Sequence, residues 1–234
     1  MDSQQFFKQL DACVAKYDLL CHPFYQAWSE GKLTRDDLRE YAQDYYHHVE
    51  AFPTYLAELG IRLDESELRQ AILANMADEK GLDDAFGEPL DSHAEMWLDF
   101  AQAMGSSRNL DAHTPIAEVC DLIAFFHSVA SDRTPEEALA AFYAYESQVP
   151  RIAKEKARGL HERYGADEKA CAYFTLHTSA DIYHSRVWKQ QLAKRLETHP
   201  DLAEKALAAG ENAAKALWRA LDGIEARRTE NVVA

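Results

Sequence analysis

The chain has 234 residues, 47% of them hydrophobic and 28% charged, a size and balance that suit a soluble globular domain with a substantial core. A formal net charge of -15 and a pI near 5.0 leave no basic footprint for nucleic acid and disfavour anionic membrane surfaces. No run of 18 apolar residues is present, so no membrane span is expected, and MDSQQFFKQLD is not expected to be a signal peptide. The cysteines Cys13, Cys21, Cys120 and Cys171 are scattered without a CxxC, the pattern expected of free thiols in a reduced, cytoplasmic protein.

Nearly every segment has the helical period, and no alternating strand stands out. A first helix is predicted over 3–18. His22-Pro23 opens a short one stopped near Gly31, and Thr34 caps a long one that ends near Gly60 and should kink at Pro53. Helices over 65–81 and 92–105 follow, separated by the irregular GLDDAFGEPLD. Thr114-Pro115 and Thr134-Pro135 each pair a cap with a proline suited to the first helical position. The first should open a helix over 114–130. The second should open a helix running to Gly165, with a distortion at Glu146 because Pro150 cannot donate to its carbonyl. A helix from DEKA to KRLE and an Ala-rich one over 201–223 complete the chain. The expected architecture is all-α, a single bundle of eight or nine helices over 1–234.

FTLHTSADIYH carries His177, Asp181 and His184 at spacings of four and three. On one helix these positions fall within about 60° of one another, so two imidazoles and a carboxylate share a face. Tyr173, Ala180 and Trp188 mark that face as inward. Such a His–Asp set either satisfies its own hydrogen bonds or holds a ligand. Helical bundles build metal centres from carboxylates and histidines projecting inward from several helices, which directs attention to other acids and imidazoles on apolar faces. Glu146 sits among Ala138, Ala141, Phe142 and Tyr145, unusual surroundings for a carboxylate unless it is paired or metal-bound. Glu79 ends the NMADE helix, and His93 opens SHAEMW. Three carboxylates and three imidazoles suit two first-row metals such as iron or manganese better than zinc. Among the other histidines, His47 and His48 are adjacent and face different ways, and His113, His127, His161 and His199 have no partner in sequence.

The elements HPFYQAW, NMADE, SHAEMW, FYAYESQVPRIAKEK and YFTLHTSADIYH, in this order over nearly the whole chain, resemble the haem-oxygenase-like dimetal oxidases. The resemblance is strongest to the subfamily of the Chlamydia protein associating with death domains. It implies a haem-oxygenase-like bundle, a homodimer, and an oxygen-dependent synthesis of 4-aminobenzoate, a folate precursor, from the protein's own side chains. In the matching positions Tyr25 would be the sacrificed tyrosine and Lys156 the nitrogen donor. Glu79, His93, Glu146, His177, Asp181 and His184 would be the ligands of an Fe/Fe or Mn/Fe pair. Tyr145, Tyr173 and Tyr41 would line the pocket, and molecular oxygen and an external reductant would be required. One feature departs from the family: thirteen residues separate Glu79 from His93, and Lys80 stands where a second acid is common. Glu79 is the preferred first ligand, with Asp84 or Glu88 as alternatives. Lys156 lies ten residues after Glu146, roughly 15 Å along a straight helix, and would need the Pro150 distortion to come back to the site. Two other functions remain open at this level: a dimetal oxygenase acting on a diffusible small molecule, and a non-enzymatic interaction protein.

Overall fold

The computed structural model describes residues 2–64, 66–82 and 90–233, the last three as backbone. Among the described residues the chain is all-α: α1 (Ser3–Ala15), α2 (Pro23–Glu30), α3 (Arg35–Ile61), α4 (Glu67–Glu79), α5 (His93–Ala103), α6 (Ala117–Ser131), α7 (Pro135–Glu146), α8 (Val149–Tyr164), α9 (Glu168–His177), α10 (Ala180–Thr198) and α11 (Ala203–Val233). Short 3-10 turns at Leu19–Cys21 and Pro200–Leu202 lie between α1 and α2 and between α10 and α11.

The expected caps form at most helix starts. Thr34 and Asp37, and likewise Thr134 and Glu137, make reciprocal capping boxes, and Gly31 closes α2 with a left-handed φ of 70°. Thr114-Pro115 does not cap. The backbone stays extended at Ile116 (ψ 158°), so α6 starts two residues beyond Pro115 with no side-chain cap. Two predicted continuous helices are broken. Ser147 and Gln148 separate α7 from α8, immediately after Glu146 and ahead of Pro150. Thr178 and Ser179 separate α9 from α10. Their hydroxyls donate to the carbonyls of Thr175 (2.7 Å) and Leu176 (3.2 Å), drawing the backbone out of the helical ladder. In contrast, α11 runs on past Gly223, where a Cβ would come within 2.5 Å of the Glu118 carboxylate on α6. Gly223 therefore serves helix contact, not termination.

The centre of the bundle is α7, buried along nearly its whole length and flanked by α6, α10 and α11. Its Ala138, Ala140, Ala141 and Ala144 let these neighbours come close: a Cβ on Gly210 of α11 would lie 3.1 Å from the Ala140 carbonyl. Glu136, buried in this helix, is paired with Arg195 of α10 at 2.7 Å. A second packed layer joins α2, α3, α5 and α9 through Trp28, Tyr41, Trp97, Phe100 and Phe174.

Candidate metal centre and aromatic pocket

Three helix ends and two helix starts meet in the core. Glu79 ends α4, Glu146 ends α7, His177 ends α9, His93 begins α5, and Asp181 and His184 lie in the first turns of α10. All six side chains are buried. They fall into two triads. In one, a donor atom from each of Glu79, His93 and His177 lies within 4.8 Å of the others; in the other, the same holds for Glu146, Asp181 and His184. The break at Thr178–Ser179 thus separates His177 from Asp181 and His184, which the sequence had placed on a single helical face. The two alternative first acids, Asp84 and Glu88, lie outside the described residues.

The donors are oriented for coordination. His177 Nδ1 donates to the Tyr173 carbonyl at 2.6 Å, which fixes the tautomer and leaves Nε2 as an available lone pair. His93 Nδ1 lies 2.8 Å from Glu79 Oε2 yet has no aligned hydrogen-bond partner, and Glu146 Oε1 is also unpartnered. Orphaned buried polar atoms are rare, and these two point to a ligand at each triad. His184 is held on both sides, Nε2 by Asp78 at 3.2 Å and Nδ1 by Asp181 at 3.4 Å. Glu79 and Glu146 sit at helix C-termini, where the helix dipole opposes negative charge, so cations between these side chains would relieve both sites.

The electrostatics are strained in the same sense. Burial pushes the Glu146 carboxyl well above the ordinary carboxylate range, and neighbouring Asp181 pushes it the same way. Burial works against the charged form of Glu79 too, but the nearby His93, His177 and His184 imidazoles hold its carboxyl below the usual value. Burial lowers the His177 pKa. It also opposes protonation of His184, but Asp181, Glu146 and Asp78 outweigh it and raise that imidazole to about 9. Three carboxylates against four positive charges of two divalent ions nearly balance, and the mixed oxygen and nitrogen donors suit iron or manganese. The residues present therefore fit a pair of first-row metal ions.

Beside the triads lies a second cluster. Tyr25 OH and Tyr41 OH are 3.1 Å apart, and Lys156 Nζ donates to Tyr41 OH at 2.5 Å. The amine lies 4.3 Å from the Tyr25 ring centroid and 4.8 Å from that of Tyr41, with Trp28, Phe174, Tyr45 and Trp97 completing a cage. Burial alone drives the Lys156 pKa well below the ordinary lysine value; among the described residues no carboxylate pairs with it. The turn between α7 and α8 redirects the chain, so Lys156 enters this cage and not the triads. Burial also raises the phenols of Tyr25, Tyr41, Tyr145 and Tyr173 well above 10.0. Tyr145 and Tyr173 line two small cavities at once: one of about 10 Å³ reaching Glu79, Glu146, His177 and Asp181, and one of about 30 Å³ reaching Tyr25 and Lys156. They are the shared wall between the metal-type donors and the tyrosine–lysine cluster.

The sequence reading missed Tyr45 and Trp97, which sit between the clusters, with ring centroids 5.5 Å apart and Trp97 4.9 Å from Tyr173. Their only sequence signal is an inward aromatic position, which core residues share. His113 and His127, without a partner in sequence, find Asp44 (2.8 Å) and Glu58 (2.9 Å) across the fold. His48 is buried with Nε2 unpartnered, and burial lowers its pKa to about 3.

Comparison with known proteins agrees with this architecture. Residues 39–218 match the family model described as iron-containing redox enzyme. The chain is 39% identical over 222 residues to the 4-aminobenzoate synthase of Chlamydia muridarum, covering 94% of this chain and 90% of that protein. It is 36% identical to the 4-aminobenzoate synthase of Nitrosomonas europaea, covering 100% of this chain and 96% of that one. A domain of unknown function from Shewanella denitrificans with a haem-oxygenase-like fold superposes with a TM-score of 0.79 at 18% identity, over 98% of this chain and 94% of that one. The chain adopts the haem-oxygenase-like fold and belongs to the family of iron-containing redox enzymes.

Proposed function

We propose that this enzyme makes 4-aminobenzoate from its own side chains, with Tyr25 supplying the aromatic ring and Lys156 the amino nitrogen. Two metal ions, Fe/Fe or Mn/Fe, would be held by Glu79, His93 and His177 on one side and Glu146, Asp181 and His184 on the other. When bound, with oxygen and an external reductant, they would supply the oxidising power. The name carried by the Chlamydia and Nitrosomonas relatives supports the product.

The observation that carries the reading is the content of the cavity next to the triads. Ligand pockets run to roughly 300–1,000 Å³, whereas the cavities at the triads and at Lys156 hold about 10 and 30 Å³. The space where an aromatic substrate would bind is filled by Tyr25 itself. Its ring already lies under an amine 4.3 Å from the centroid. Burial lowers the pKa of that amine and so favours its neutral form, whose lone pair can form a C–N bond where an ammonium cannot. The contacts Tyr25 OH–Tyr41 OH–Lys156 Nζ hold the phenol and the amine in one hydrogen-bonded chain beside the ring. Tyr145 and Tyr173 stand between the two clusters.

A second reading rests on one different observation. An open cleft of about 370 Å³, lined by Asp78, Met96, Leu176 and Tyr183, reaches His93 and His184, and could admit a diffusible small molecule. The decisive experiment grows the protein with ring-labelled tyrosine and supplies metal, oxygen and reductant. Self-consumption gives labelled 4-aminobenzoate, at most about one per chain because the consumed ring cannot be restored, and a matching mass loss in the Tyr25 peptide. Tyr25→Phe, which lacks the readily oxidised phenol, and Lys156→Arg, whose guanidinium is a poor nitrogen donor, should both give no product. Unlabelled product with Tyr25 intact would favour the diffusible substrate.

A further inference from the structure

Trp188 lies on α10, one turn beyond His184, and is fully buried. Its indole Nε1–H donates to Glu146 Oε2, while among the described residues Glu146 Oε1 has no hydrogen-bond partner. The ring is held by α7 from below, its centroid 5.9 Å from that of Phe142. We infer that Trp188 is a positioning residue for the second triad: by engaging one carboxylate oxygen it turns the other toward Asp181 and His184, and so sets the affinity of one metal site but not of its neighbour. The inference rests on the dimetal reading above.

Three features support it. An indole N–H donates and cannot accept, so it can satisfy a carboxylate but can neither bind a cation nor compete for one. Glu146 is the last residue of α7, where the backbone ladder stops and side-chain direction is least constrained by its own helix. Trp188, by contrast, sits in the interior of α10, which also carries Asp181 and His184. One rigid element therefore presents two donors of the triad directly and orients the third through the indole. The first triad has a different device, the Tyr173 carbonyl on His177. Hydrogen-bond partners of ligands commonly change metal affinity by about 10–100-fold.

The test uses protein purified with its metals and dialysed against graded EDTA, followed by metal analysis per chain. Trp188→Phe should release one metal at about 10–100-fold lower chelator than wild type and retain the other normally. Phe142→Leu, which loosens the same packing without touching the donor, should keep both at the wild-type level. Equal retention by Trp188→Phe, or equal loss by Phe142→Leu, would overturn the inference. An independent readout does not require that Trp188→Phe fold: in 15N-tryptophan-labelled protein, Glu146→Gln should shift one of the four indole N–H resonances upfield, as a neutral amide accepts more weakly than a carboxylate. No such shift would also overturn it. Wild-type protein that retains no metal at any chelator level would instead sink the dimetal reading, with the indole shift still reporting on Trp188 and Glu146.

Discussion

Aromatic rings and the Tyr41 phenol surround the Lys156 amine, and burial holds its pKa well below the ordinary lysine value. In the unfolded chain the same amine stays protonated to about pH 10.4. Between those limits the unfolded state binds one proton more than the folded state, so the contribution of this residue to stability rises with pH and is least favourable below the folded pKa. Lys156→Met keeps the length and removes the charge to be desolvated. It should resist urea better than wild type at pH 7, with the gap closing as pH approaches 10. Urea titrations at pH 7 and 9.5 measure this; a gap independent of pH would mean that the amine is not neutral in the fold, which would also weaken its role as nitrogen donor. The cage itself is a stability cost at the place where the proposed chemistry needs an unprotonated amine, the arrangement expected when a site is tuned for reaction.

At the scale of elements, the site is made by helices that stop. Glu79, Glu146 and His177 are each the last residue of a helix, and the breaks after Glu146 and His177 turn the following segments toward different clusters. The segment after Glu146 is α8, which delivers Lys156 by packing closely on α2. Gly159 makes that approach possible: a Cβ there would lie 2.8 Å from Trp28 Cδ1 and 2.9 Å from Nε1. The Trp28 indole, which donates to the Lys156 carbonyl at 3.3 Å, would have to move. Gly159→Ala should therefore cost about 1–3 kcal/mol by overpacking, despite the better helix propensity of alanine. It should also displace Lys156 from the Tyr25 ring and lower the yield of 4-aminobenzoate. Thermal unfolding and product yield check the two effects; an alanine variant as stable as wild type would show that α2 and α8 separate without cost.

For the whole molecule, the question is whether the fold depends on its metals. The apolar core runs from Phe6 on α1 to Ile224 on α11, and most of it lies away from the triads. This is unlike a zinc finger, whose folding energy is its metal-binding energy. Metal-free protein should keep its helical circular dichroism. The buried carboxylates would be left uncompensated, so the melting temperature should fall, with faster hydrogen exchange at the ends of α4, α7 and α9. A coil-like spectrum after chelation would show that the metals hold the fold. The homodimer implied by the resemblance is checked by light scattering on the purified protein.

The sequence by itself determined most of the helices, the caps at Thr34 and Thr134, and the inward places of Glu146, His93, His177, Asp181 and His184. Helical period, capping boxes and Pro or Gly at helix ends are local, and so are the spacings within FTLHTSADIYH. It also carried the motifs of a redox enzyme family, whose match to residues 39–218 is shown. Only the tertiary structure decided how those residues are shared out. His177 looked like a partner of Asp181 on one helical face. The Thr178 and Ser179 hydroxyls, by bonding back to carbonyls, split that face and join His177 to Glu79 and His93 on other helices. Glu79 looked like a solvated helix end until α5 brought His93 against it at 2.8 Å. Lys156 stood in a charged run, KEKARGLHER, and nothing local distinguishes it from its solvated neighbours. Its burial over Tyr25 follows from the turn at Ser147–Gln148 and the absence of a side chain at Gly159, because the environment of a long side chain is set by which helix lies opposite it.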